Sequence, residues 1–170
     1  MSKPSFVYVI YIASIAEKVF EALTDAKISE RYWSGNHVES DWKVGSTFAL
    51  KLKREVRDIT GEVIEVDPPR RLAYTFHPQH GGLENEKPSR VTFTLEQQKD
   101  QVKLTVMHDD FESGSKVFEG ISRGWPLVLS SIKSLMETGQ VVLHAPWYEE
   151  EDAKRAAAEA AREQPERSNA

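Results

Sequence analysis

Histidine carries most of the chemistry that this sequence could offer. His77 and His80 are spaced H-x-x-H, and His108 opens a His108-Asp109-Asp110 run. Neutral imidazoles and carboxylates are zinc-ligand types. The first pair, however, lies in a Gly/Pro-containing loop (residues 77–88), where spacing does not fix geometry as a helix would. A solvated polar loop is the reading preferred there; no metal site is assigned and no cofactor is expected. His108 differs. It continues the alternation of Val102, Leu104 and Val106, so it is expected to point inward, where an imidazole can orient a ligand or move a proton near neutral pH. The competing reading leaves it at a strand end against solvent or Asp110. Tyr74 is the second polar side chain of inward parity. Trp33, Trp42 and Trp125 could form an aromatic wall for a flat or greasy ligand, or simply fill a core. Trp125 reads as cavity-lining. Trp42, shortly before Gly45, reads as a structural plug.

Several chemistries are excluded. Cysteine is absent, which removes thiol catalysis, thiolate metal sites and a disulfide framework. No Gly-x-Ser-x-Gly elbow, Gly-rich phosphate loop or dinucleotide fingerprint occurs. The 170 residues hold 22 basic and 27 acidic side chains, a net charge of −5. Broad electrostatic binding to nucleic acid or to an anionic membrane is therefore not expected. Lys51, Lys53, Arg54 and Arg57 form a small basic group, read as a solvated outer face with docking on an acidic protein as the alternative. No apolar run reaches the ~18–20 residues that span a bilayer. Phe6 to Ile12 is apolar and followed by small residues, as in a signal peptide. Its β-branched and aromatic content suits a strand better, so a cytoplasmic protein is expected.

The elements that must position these groups follow from periodicity. After the first strand, residues 16–25 show a helical pattern, with Ser14 and Glu17 spaced as a capping box. Residues 28–33 suggest a second short helix. The period then changes to two over 46–53, 59–66, 72–76, 91–95 and 102–106, each with one apolar and one polar face. That is the pattern of antiparallel strands wetted on one side. A long amphipathic helix is predicted over 115–138, ended by Gly139 and kinked or broken just before Pro126. From Glu149 the chain lacks large apolar residues, and nothing there is expected to dock. The order is one strand, two helices, about six strands and a long helix, which defines an α+β class. Residues 1–144 are expected to form the domain, and 145–170 a polar, Ala/Glu-rich extension, helical or disordered.

Four stretches carry a resemblance: Ala22-Leu23-Thr24-Asp25, Arg31-Tyr32-Trp33, the segment from Glu39 to Ser46, and Gly124-Trp125-Pro126 with Leu135 to Gly139. In this order, over about residues 5–143, they resemble the domain named for the activator of Hsp90 ATPase, within the START/Bet v 1 superfamily. The resemblance implies a helix-grip fold, in which a curved antiparallel sheet wraps a long C-terminal helix and leaves a cavity between them. It implies no fixed catalytic motif. Strand parity then directs Phe48, Leu50, Tyr74 and Phe76 into that space. Phe93, Leu104, Val106 and His108 follow on the neighbouring strands. Trp33, Phe118, Trp125 and Leu129 face them from the helices. Non-catalytic binding of a small hydrophobic or aromatic ligand is the expected function. The alternatives are a co-chaperone-like protein-interaction module and a cyclase- or hydrolase-type enzyme using His108, Tyr74 and Asp110. The expected partners are thus a small ligand or a protein, with no nucleic acid and no membrane, in a monomer or homodimer.

Overall fold

Alternating sequence becomes a single antiparallel sheet because each strand has only one face to bury. The computed structural model describes residues 3–52, 57–142 and 146–163. β1 (Phe6–Ile12) leads into α1 (Ala16–Thr24) and α2 (Ala26–Tyr32). Six strands follow: β2 (His37–Ser40), β3 (Thr47–Lys51), β4 (Arg57–Asp67), β5 (Arg71–Pro78), β6 (Ser89–Gln98) and β7 (Gln101–Asp109). The long helix α3 (Lys116–Thr138) crosses the sheet, and α4 (Pro146–Glu163) ends the described chain. The strand order is β1-β7-β6-β5-β4-β3-β2. The architecture is the expected α+β helix grip, a curved sheet wrapped on a C-terminal helix.

Register places the inward parities side by side. Phe93 lies opposite Val106 and Leu72, and Leu104 opposite Leu95 and Ile10. Phe48, Tyr74, Phe93, Leu104 and Val106 are at most 2% exposed. The opposite parity faces out: Val7, Val9 and Tyr11 on β1 are exposed. Register shifts near Leu50 and near Ile64 interrupt β3–β4 and β4–β5 pairing, and such bulges sharpen a strand's bend. β2 lacks an alternation long enough to read, since its four residues hold a single buried apolar side chain, Val38.

The helix ends are held by distant side chains. Ser14 does not cap α1 as expected. Ile15 occupies that position without a side-chain bond, and Gln97 at the end of β6 accepts from the Ala16 N–H at 2.8 Å. Ser115 caps α3, accepting from the Phe118 N–H. Beside it the Glu86 carboxylate accepts from the Lys116 N–H at 2.9 Å. A negative group at a helix N-terminus also suits the helix dipole. Gly139 ends α3 at φ 76°, donating to the Leu135 carbonyl. Pro126 does not divide the helix, which runs on through it as one element. Trp42 is the plug expected: its indole N–H donates to the Thr24 carbonyl, and its ring touches Phe48 and Tyr74. At the sheet edge, Lys133 donates to the Tyr11 carbonyl and Glu137 accepts from the Ala13 N–H, tying α3 to β1.

Gly61 on β4 lies opposite Phe48, where a Cβ would overlap the backbone carbonyl of Thr75 on β5. Gly61→Ala is expected to force β4 and β5 apart and to lower unfolding free energy by about 2 kcal/mol or more, as overpacking does. Urea melts of the two proteins measure this, and coincident curves would contradict it.

Candidate ligand-binding site

The apolar stripe of α3 meets the middle of the sheet around a buried polar contact. The Trp125 indole N–H donates to His108 Nδ1 at 3.0 Å. On its other side, His108 Nε2 is 2.7 Å from Ser89 Oγ, which in turn donates to the Phe76 carbonyl at 3.2 Å. Because Nδ1 accepts from Trp125, the proton of the neutral ring sits on Nε2 and is donated to Ser89. His108 is fully buried, packed between Phe76 and Phe111 with ring centroids 4.8 and 4.7 Å away. Burial pushes its pKa down to about 3, so it is neutral at pH 7. Both nitrogens are engaged within the protein. The imidazole thus faces inward as its strand parity requires, but it joins helix to sheet rather than serving a ligand.

The remaining polar groups proposed for chemistry do not converge. Tyr74 is buried among Phe48, Trp42 and Phe93, and desolvation raises its phenol well above the usual range. Asp110 lies on the surface with Lys87, whose ammonium lowers its carboxyl pKa. His108, Tyr74 and Asp110 are therefore no catalytic set. His77 lies against the Glu84 carbonyl, whereas His80 turns to Asp58. Among the described residues no group of three or more His, Cys, Asp or Glu could hold a metal. Lys51 pairs with Glu39 at 2.8 Å; Lys53 and Arg54 of the basic group lie outside the described residues.

A cavity of about 300 Å³ lies beside this core, toward the N-terminal half of α3. Of the twelve residues named from sequence, Trp33, Leu50, Phe76 and Trp125 border it. The other eight candidates do not. Phe48, Tyr74 and Phe93 form a stacked aromatic row, Phe48 and Tyr74 only 3.9 Å apart. Leu104, Val106 and Leu129 are wholly enclosed. Phe118 packs edge-on against Phe111, and His108 is occupied as described. Inward parity located them correctly, but rings fill the middle of the sheet. This space lies beside a stretch of α3 where side chains are missing. Gly120 and Gly124, one helical turn apart on α3, border the cavity, and a Cβ on either would meet nothing within 4 Å.

Sequence reasoning missed the polar end of the cavity. Asp58 at the start of β4 is 7% exposed yet borders the space. His80 Nε2 is 3.0 Å from its Oδ1, and Arg155 of α4 is 2.6 Å from the same oxygen. The C-terminal helix, expected not to dock, thus sends one guanidinium into the cavity wall. Pairing across 97 residues leaves no local pattern to read, and Asp58 stands just before the predicted strand 59–66 with no signal of its own. Lys116, Glu119 and Arg123 lie around the opening.

A curved antiparallel sheet gripping a long helix, with a cavity between them, places the molecule among helix-grip proteins. The sequence model described as activator of Hsp90 ATPase homolog 1-like protein matches residues 13–137, and the chain belongs to that family. A Mesorhizobium loti protein of solved structure is 25% identical, with TM-score 0.67, covering 78% of this chain and 96% of its own. The Aha1 dimer from Colwellia psychrerythraea is 20% identical, with TM-score 0.67, covering 80% and 98%. An HSP90 activator from Plasmodium falciparum is 25% identical, with TM-score 0.61, covering 71% and 86%. No curated protein matches the chain. No helix among the described residues is long and apolar enough to cross a membrane.

The buried imidazole makes stability depend on pH. An unfolded histidine titrates near ~6.5, whereas His108 takes up its proton only at about 3. Between these values the unfolded chain binds a proton that the fold refuses. The contribution of neutral His108 is complete above ~6.5 and is lost as pH falls, at up to ~1.4 kcal/mol per unit. By pH 5 the loss should be about 2 kcal/mol. His108→Gln offers an amide oxygen to Trp125 and an amide N–H to Ser89, with no proton to gain. It should flatten the decline between pH 7 and 5 in urea melts; an equal decline in both proteins would exclude His108 as the source.

Proposed function

We propose that the chain is a non-catalytic carrier of a small hydrophobic or aromatic molecule, bound between α3 and the ends of β3, β4 and β5. The observation that carries this reading is the cavity itself, with Trp33, Phe76 and Trp125 presenting ring surface to about 300 Å³ of space. That volume is at the small end of the ~300–1,000 Å³ usual for ligand pockets. Burial of apolar surface at roughly 25 cal/mol per Å² would drive binding, offset by the cost of immobilising the ligand. Both ring nitrogens of His108 are engaged within the protein, which supports binding without chemistry. We infer a cytoplasmic monomer or homodimer whose domain spans residues 1–144, with 145–170 as an extension that reaches the cavity through Arg155.

The family match favours a second reading, a co-chaperone-like partner of Hsp90. It predicts a faster Hsp90 ATPase rate when the protein is added. Unchanged turnover at saturating protein would remove that reading.

The carrier reading is tested with the neutral fluorescent probe N-phenyl-1-naphthylamine. Saturable binding in the low-micromolar range, roughly −8 kcal/mol, is expected. Gly124→Leu puts a branched side chain at the cavity wall where a Cβ meets no atom, so it should keep the fold and abolish binding. Undiminished binding in a folded Gly124→Leu protein would place the probe elsewhere.

A further inference from the structure

Asp58 is an unusual residue to find in the wall of an apolar cavity. It is 7% exposed, and its carboxylate charge is balanced by Arg155, with His80 beside it. Both partners meet the same oxygen, Oδ1. Among the described residues no side chain hydrogen-bonds Oδ2. An accepting oxygen without a donor, in a wall that is otherwise mostly apolar, is open to a ligand that brings one. Oδ2 is that atom here.

We infer that the cavity selects neutral aromatic molecules carrying a hydroxyl group, and that Asp58 is the residue that recognises the hydroxyl. This rests on the carrier reading above and specifies its ligand class. A phenol or alcohol can donate to Oδ2 while Arg155 and His80 keep Oδ1. The resulting bond is charge-assisted and leaves the ion pair intact. A carboxylate of the same size gains nothing there. Near Asp58 it meets a like charge in a space of low dielectric. To reach Arg155 it would have to displace Asp58, leaving a buried anion with His80 alone. Lys116 and Arg123 do not reverse this preference, because both are exposed at the opening, where water and salt screen them. Apolar rings thus set how tightly a ligand binds, and Asp58 sets which polar group it carries.

Three probes on one ring system separate the terms: 2-methylnaphthalene, its isostere 2-naphthol, and the anion 2-naphthoate, titrated at neutral pH by amide chemical-shift changes of the full chain. The expected order is 2-naphthol tightest, about tenfold over 2-methylnaphthalene, with 2-naphthoate weakest. Asp58→Asn keeps an oxygen for Arg155 and places an amide donor at the free position. It should erase the advantage of 2-naphthol over 2-methylnaphthalene and strengthen 2-naphthoate. If 2-naphthoate binds the unaltered protein as tightly as 2-naphthol, or if Asp58→Asn leaves the order unchanged, the assignment of Asp58 is wrong while the carrier reading stands. If none of the three binds, both fall together. Should Asp58→Asn fail to fold, the order measured on the unaltered protein still decides the point.

Discussion

The joint between α3 and the sheet is a chain of directed hydrogen bonds: Trp125 to His108, His108 to Ser89, Ser89 to the Phe76 carbonyl. Apolar packing alone would allow a helix to slide or rotate over a smooth sheet. This chain does not, because every donor in it has one acceptor, and a buried polar group left without a partner costs about 1–3 kcal/mol. It fixes α3 in rotation about its own axis. That rotation puts Val117, Ile121 and Trp125 against the sheet, and brings Gly120 and Gly124 to the cavity. The position of the cavity thus depends on a histidine that takes no part in lining it.

The fold was legible to a degree that the site was not. Strand parity and helical spacing are repeated signals, sampled many times along the chain, and one irregular residue does not disturb them. The α+β order and the inward residues rest on such repetition. The cavity is a difference between what the frame could enclose and what its side chains fill. Phe48, Tyr74 and Phe93 have the parity of lining residues, yet they stack on one another and consume the space. No single-residue property separates a ring that lines from a ring that fills. Asp58 and Arg155 show the same limit for charge, because their meaning comes from a contact between distant segments.

Polar groups in this interior divide into two kinds. His108, Ser89 and Tyr32 find partners within the fold; the Tyr32 hydroxyl, for example, donates to the Ala22 carbonyl at 2.7 Å. These groups specify geometry. Asp58 is balanced in charge but not in hydrogen bonding, since two donors share one oxygen. The first kind makes the core unique; the second leaves a chemical preference facing an otherwise apolar space. Phe76 belongs to both settings: its carbonyl ends the first network, and the residue lines the cavity.

Gly120 and Gly124 bear on how such a protein diverges. Glycine inside a helix is about 1 kcal/mol less favourable than alanine at each position. Here the side chain that would remedy this has room to form. Stability and spaciousness therefore pull in opposite directions at the same two residues. A lineage relieved of any need for an occupant would gain helix stability from the first substitution at either site, with no rearrangement of the sheet. A lineage acquiring a larger occupant has no further atoms to remove at these two positions. It must shorten a lining side chain instead, on the strands or at Trp125 of the helix.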